Sequence, residues 1–343
     1  MVDAVIFICF VASFLTTLAL MPKWLRKTEI IGLVGKDMNK PKKPDVPEAG
    51  GVTVIAGAAI GVLVYIFLFT FYFRSEFSLI EIMATLTTIL LAGFIGFIDD
   101  IIGWKSGISQ KTKVFLTIPI AVPLAVVNAG NSMMILPFIG AIDFGFFFPL
   151  FIIPIGIIGA INGYNMLAGY NGLEAGMGAI ILTTLAFIAW LSGSGWVSMI
   201  SLITVFSILA FMIYNMYPAR VFPGDSFTYA IGAMIASVAI LGNMEKFAVI
   251  LFIPYFFDAL MYVRFRFIDR AQKVEAYAKI NSDGSLDMPN EKVYDFTHLA
   301  IKVLKRVKKK VYEKDVVLSV FLFEIALSAV VFLWWLFTES KMI

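Results

Sequence analysis

Apolar runs long enough to cross a bilayer recur along the chain, separated by short polar segments. A spanning helix needs about 20 predominantly apolar residues. Runs of that kind fall at roughly 3–22, 50–73, 78–98, 113–128, 146–163, 174–192, 197–214, 226–242, 246–264 and 315–338. They predict an all-α integral membrane protein with about ten transmembrane helices, a single polytopic unit over 1–343. The 113–128 run is short and carries Pro119 and Pro123, a pattern membranes tolerate where neighbouring helices re-satisfy the freed backbone groups. The first run has no basic segment before it and no small-residue cleavage site, so it reads as a retained span. The 129–145 stretch, with Gly130, Pro137, Gly140 and Gly145, is expected to form a small hairpin on the outer surface. The longest polar stretch, about 265–314, forms a loop between spans nine and ten.

Composition agrees. Of 343 residues, 60% are hydrophobic and 15% charged, against about 45–50% and 25% in soluble domains. The single cysteine, Cys9, excludes an intramolecular disulfide framework and a multi-cysteine metal site. Net charge is only +3, but its distribution is lopsided. With ten spans, 24 of the 27 Lys and Arg residues fall in alternate loops on one face. By the positive-inside rule that face is cytoplasmic, and both termini lie outside the cell membrane.

The chemistry gathers on the same face. GFIGFIDDIIGWKSGISQKTK, residues 93–113, ends an apolar helix with Asp99 and Asp100 and reaches Lys111 and Lys113. Ionised groups near lipid are costly unless paired or hydrated. The plain alternative is a helix end in interfacial water. GKDMNKPKKPDVPEAGG, residues 35–51, is a proline-rich basic linker whose lysines topology alone explains, but Glu48 at the lip of span two is not so explained. NGYNMLAGYNGLEAGMG, residues 162–178, carries no Lys or Arg. Its Asn165 and Asn171 offer amide oxygens to a hard cation and amide donors to a base or sugar, or it is a small-residue packing turn. In NMYPARVFPGDSFTYAIG, residues 215–232, a Pro-Gly turn delivers Asp225 to the start of span eight, where an acid also suits a helix N-terminus.

Acids with an amide oxygen, and no Cys or His cluster, suit Mg²⁺ or Mn²⁺ rather than zinc. Such ions complete their coordination with water and substrate phosphate, and a nearby lysine adds positive charge. The set fits phosphoryl transfer, in which catalysis is mostly positioning and charge neutralisation. No Gly-x-x-x-x-Gly-Lys loop or kinase signature is present, so ATP-driven pumping is not expected. A secondary transporter is the rival class, because membrane acids also serve ion paths. Here the acids gather at one surface and no internal repeat is visible. His298, the one histidine, falls in an amphipathic segment over 293–310 and reads as a surface or packing residue. The run over 305–310 reads as an anchor on anionic lipid.

Together the four loops resemble the polyprenyl-phosphate N-acetylhexosamine-1-phosphate transferase family. The resemblance extends from span one to span nine, through GKDMNK, FIDD, NMLAGYNGLEAG and YPARVFPGDSF. The wording is most similar to the dolichol-phosphate GlcNAc-1-phosphate transferase branch, with a GISQKTK ending nearer the bacterial pattern, which implies an archaeal or bacterial source. The resemblance implies transfer of GlcNAc-1-phosphate from UDP-GlcNAc to a polyprenyl or dolichyl phosphate, releasing UMP. That is the first step of lipid-linked glycan assembly, as in N-glycosylation. A related transferase using another UDP-N-acetylhexosamine is the alternative.

The resemblance also implies a Mg²⁺-dependent active-site cleft at the cytoplasmic face. Homodimers occur in the family, though no residue pattern here carries one. No nucleic-acid partner is implied. Asp99, Asp100 and Lys113 match the catalytic positions, and Asn165 and Asp225 the metal-holding ones. Asn171 matches a nucleoside contact and Phe222 an aromatic beside the uracil. Lys36, Asp37, Met38 and Glu48 match the nucleotide-sugar wall. Ile158, Gly159, Ala160, Ile161, Asn162, Gly163, Tyr164, Asn165 and Met166 match the lipid-phosphate side. The last loop lacks both the family's histidine-rich motif and its Arg-His-Arg group, so Arg264, Arg266, Arg270 and Lys273 are the nearest basic candidates there. The missing histidine motif argues against a peptide-bearing muramyl substrate.

Overall fold

A computed structural model describes residues 2–74, 78–106, 110–136, 140–269 and 275–338. The helices are α1 (Val2–Ile31), α2 (Gly51–Phe67), α3 (Leu79–Ser106), α4 (Gln110–Thr117), α5 (Val122–Val126), α6 (Ile153–Tyr164), α7 (Leu173–Leu191), α8 (Gly195–Asn215), α9 (Gly224–Leu241), α10 (Glu245–Leu251), α11 (Ile253–Val263), α12 (Phe296–Leu304) and α13 (Glu313–Thr338). Each of the ten apolar runs is helical over most of its length. Seven helices among the described residues are long and apolar enough to cross a membrane, and a bent pair, Glu245–Leu251 with Ile253–Ile268, makes eight. Two shorter apolar helices run over 112–126 and 148–164. The protein is therefore a multi-pass membrane protein.

The centre of the bundle is α9. Every residue from Ser226 to Ile240 is buried. Its sequence, GDSFTYAIGAMIASVAIL, has no polar stripe, and a helix apolar all round belongs in an interior. Its Ala, Gly and Ser residues let α3 and α6 approach closely, the usual device where lipid supplies no hydrophobic drive between helices. Gly96 of α3 meets the start of α9 backbone to backbone. A Cβ there would stand 2.6 Å from the Asp225 carbonyl carbon and 2.7 Å from the Ser226 nitrogen. We expect Gly96→Val to push α3 from α9 and to cost about 2 kcal/mol or more of stability. Thermal unfolding in detergent checks this, and an unchanged melting temperature would refute the contact. By contrast, α1 and α13 lie at the periphery, with Phe7, Leu15, Leu318 and Phe337 exposed.

Proline sets the breaks. The 113–128 run divides into α4, a tight 3₁₀ turn over Ile118–Ala121 and α5, with Pro119 and Pro123 at the two joints. The bend between α10 and α11 is 62° at Phe252, and Pro254 opens the second helix. Short strands join the loops. β1 (Val34–Lys36) pairs antiparallel with β2 (Asp45–Pro47). β3 (Met133–Leu136) pairs with β4 (Gly140–Asp143), Met133 opposite Asp143, within the 129–145 stretch. β5 (Lys279–Ile280) pairs with β6 (Leu286–Asp287).

The helix expected over 293–310 is shorter, Phe296–Leu304. Asp295 starts it by accepting from the Thr297 amide at 2.6 Å, two residues inside the expected start. His298 is fully buried with Nε2 2.9 Å from the Ala276 carbonyl, a packing role. In the basic run, Lys305 pairs with Asp287, Lys308 with Asp315 and Lys310 with Asp283.

Candidate active site

Three carboxyl groups and one lysine meet where α3, α4 and α9 converge. Lys113 Nζ lies 2.7 Å from Asp99 Oδ2 and 2.7 Å from Asp225 Oδ2. Tyr229 donates to the same Asp99 oxygen at 3.0 Å. Asp99 is almost fully buried, and its other oxygen, Oδ1, has no hydrogen-bond partner among the described residues. The adjacent acids are divided by geometry. Asp100 Oδ1 accepts from the Asp225 amide at 2.5 Å and Oδ2 from the Ser226 amide at 3.1 Å. Asp100 thus caps the first turn of α9 from another helix, satisfying donors that no intrahelical acceptor reaches. Gly224 makes this possible: its φ is +73°, and a Cβ would sit 2.6 Å from Asp100 Oδ2.

Beside this cluster is a cavity of about 260 Å³ lined by Lys36, Met38, Glu48, Asn165, Phe222 and Asp225, with Gly169, Glu174, Thr228 and Tyr277 among its other walls. Six of the residues expected from the sequence therefore share one cavity. Backbone hydrogen bonds hold its two loops in register: Phe222 N–H donates to the Pro47 carbonyl at 2.7 Å, and Gly50 N–H to the Phe222 carbonyl at 2.9 Å. Thr228 Oγ1 donates to Asn165 Oδ1 at 2.8 Å, which fixes that amide beside Asp225. Burial, and secondarily the charge on Asp225, raise the Glu48 carboxyl above the usual range. Glu48 therefore holds its proton more tightly than a solvated glutamate.

The remaining expected residues are distributed as follows. Asp37 and Asn171 are buried outside this cavity, joined Nδ2 to Oδ2 at 3.2 Å. Gly159 and Ala160 line a second, apolar groove of about 330 Å³ with residues of α9, α10 and α11. Ile161 and Tyr164 are core residues, and Gly163 packs near Phe252 and Tyr255. Asn162 donates to the Ile158 carbonyl at 2.8 Å and Thr117 at 3.3 Å. Ile158 is half-buried and Met166 exposed. Arg264 pairs with Asp269 at 3.3 Å, and neither it nor Arg266 lines the cavity. Arg270 and Lys273 lie outside the described residues.

Tyr229, Thr228, Glu174 and Tyr277 were not expected. Thr228 and Tyr229 stand three and four residues after Asp225, the spacing that shares a helix face, so that pair was findable. Glu174 falls inside the quoted NGLEAG motif; its Oε1 accepts from the Gly169 amide at 2.9 Å and its Oε2 has no partner among the described residues. Nothing local marks Tyr277.

Fold and site together define a polytopic membrane protein with an acid and lysine cluster beside a polar cavity. Residues 82–243 match glycosyl transferase family 4. A Saccharolobus solfataricus protein with the provisional name UDP-N-acetylglucosamine–dolichyl-phosphate N-acetylglucosaminephosphotransferase is 37% identical over 87% of this chain and 87% of its own. A Halalkalibacterium halodurans phospho-N-acetylmuramoyl-pentapeptide-transferase is 31% identical over 73% of this chain and 79% of its own. A Dictyostelium discoideum UDP-N-acetylglucosamine–dolichyl-phosphate N-acetylglucosaminephosphotransferase is 29% identical over 72% of this chain and 68% of its own. The chain belongs to glycosyl transferase family 4, and the resemblance stated from its motifs is borne out.

Proposed function

We propose that the protein transfers GlcNAc-1-phosphate from UDP-GlcNAc to a polyprenyl phosphate of the dolichyl type, releasing UMP. The carrying observation is the cavity that unites Asp225, Asn165, Glu48, Lys36 and Phe222 beside the Lys113-bridged Asp99. The names of the S. solfataricus and D. discoideum relatives support the same reading.

Each wall has a chemical use. Phe222 gives a flat face for the base. Lys36 and Lys113 offset phosphate charge. Asp225 and the Asn165 oxygen, both at the cavity, offer hard oxygen donors of the kind Mg²⁺ takes, with water and substrate phosphate to complete its shell. Bound there, the ion would neutralise charge on the donor pyrophosphate. The apolar groove gives the lipid tail a path. Ala160 lies five residues before Asn165 on the same helix, about 8 Å along the axis, so a chain in the groove can bring its phosphate to the acids.

In the direct route a lipid phosphate oxygen attacks the donor β-phosphorus, the bond to the bridging oxygen breaks, and the electron pair leaves on UMP. Asp99, bonded to Lys113 and Tyr229, is positioned to hold the lipid phosphate free of its proton. A covalent aspartyl intermediate is the other route. It would give isotope exchange between UMP and UDP-GlcNAc without lipid, which the direct route forbids.

The membrane arrangement we propose has ten crossings: the seven long helices, the bent pair, and the shorter helices over 112–126 and 148–164. The basic loops and the cleft then face the cytoplasm, with both termini outside. UMP release from UDP-GlcNAc is expected to need the lipid phosphate, to stop with excess EDTA and to return with Mg²⁺ or Mn²⁺. Turnover that persists after chelation would remove the metal from the proposal.

A further inference from the structure

Behind the cavity wall, four charged and amide side chains form a second polar cluster. Lys40 Nζ lies 3.1 Å from Asn171 Oδ1 and 3.2 Å from Asp37 Oδ2, and it pairs with Glu313 Oε2. Glu313 Oε1 accepts from the Asn171 amide at 2.7 Å. Asn171 Oδ1 also accepts from the Ala219 amide at 2.9 Å, and Asn171 Nδ2 donates to Asp37. Lys40 and Lys314 both stand over the Tyr217 ring, at 4.2 and 4.6 Å from its centroid. Asp37, Asn171 and Glu313 are each about 3% exposed.

Three of the segments held here continue directly into the cavity wall. Asp37 and Asn39 flank Met38, and Asn39 itself donates to the Gly169 carbonyl at 2.7 Å. Asn171 follows Gly169 and Tyr170, and Ala219 precedes Phe222 and Asp225. The fourth member, Glu313, opens the last helix, far away in sequence and outside the cavity lining. A buried group of two acids and one lysine is costly to assemble and costlier to break, since removing one partner strands the others. Such a group persists where it holds a geometry.

We propose that Glu313 and Lys40 are positioning residues for the nucleotide-sugar side of the cleft. They act through Asn171, whose side chain and backbone amide the clamp holds in place, and so order the loops of the donor wall. The clamp makes the donor wall one rigid piece and ties it to α13. This rests on the function proposed above, but its structural part can be read without substrate.

Hydrogen exchange on the purified protein in detergent is the first measurement, comparing wild type with Glu313→Ala, Glu313→Gln and Lys40→Met. Residues 169–172 and 217–222 are expected to lose protection in the alanine and methionine variants, with the glutamine variant intermediate, while α9 stays protected. The second measurement is steady-state kinetics. KM for UDP-GlcNAc should rise roughly ten-fold, with kcat and the KM for lipid phosphate within about three-fold of wild type. The double variant should be no worse than the worse single, because the two residues act as one unit. Unchanged exchange in those loops overturns the clamp, and so does lost protection with an unchanged donor KM, or a fall in kcat alone. A wild-type protein that turns over no UDP-sugar, yet shows the expected exchange, overturns the function proposed above and leaves the clamp standing.

Discussion

Asparagine in place of Asp225 is expected to lower kcat on the order of 10³-fold while leaving a folded protein. Among the described residues, Asp225 is the one carboxylate that both bonds Lys113 and lines the cavity with Asn165. The substitution keeps the shape and removes the charge, so it takes away the anionic donor for a divalent ion and half of what holds Lys113. The first turn of α9 survives, because its amide donors are capped by Asp100. The readout is UMP release at saturating donor and lipid, with the melting temperature measured alongside. Turnover within about ten-fold of wild type would exclude Asp225 from the reaction.

The second large effect separates the neighbouring acids. Asp99→Asn is expected to reduce kcat on the order of 10²–10³-fold with little change in melting temperature. Its carboxylate meets Lys113 and Tyr229 and keeps one buried oxygen free, an arrangement that serves a reacting group and contributes little to packing. Asp100→Asn acts first on stability. Asp100 accepts from two backbone amides, and asparagine retains one acceptor oxygen without charge. A loss of about 2 kcal/mol follows from weakening two charge-assisted hydrogen bonds. Activity falls with it, because Asp225 belongs to the same turn. Thermal unfolding and kcat measured on both variants decide the matter. A stability loss at Asp99 with none at Asp100 would reverse the assignment.

Much of the site was legible because its residues break the local rule. Asp99 and Asp100 fall at the end of an apolar run, Glu48 stands at a helix lip, and residues 162–178 carry no basic residue. Such departures are visible without knowing the fold, because placing charge near lipid is costly. Thr228 and Tyr229 needed only the helical spacing from Asp225. Tyr277 and Glu313 could not be found this way. An aromatic in a polar loop and an acid at a helix start are both ordinary locally. Each matters only because the chain returns to the site, Tyr277 from 52 residues beyond Asp225 and Glu313 from 142 beyond Asn171. Asn171 carries the family motif, and within the protein it bonds Asp37, Lys40, Glu313 and Ala219, contacts that the motif does not announce.

By itself the sequence determined the membrane class, the helical runs, and the acids and amides that gather at one site. These depend on hydropathy and on the cost of misplaced charge, which are properties of short segments. Only the tertiary structure decided which acid faces lysine and which caps a helix. It also decided which loop residues line the cavity and which tie it together. Those outcomes turn on contacts such as Gly96 against the start of α9, where the absence of one carbon atom lets two helices close to touching distance. Side-chain direction at a helix end is set by such neighbours, and the order of residues along the chain carries no record of them.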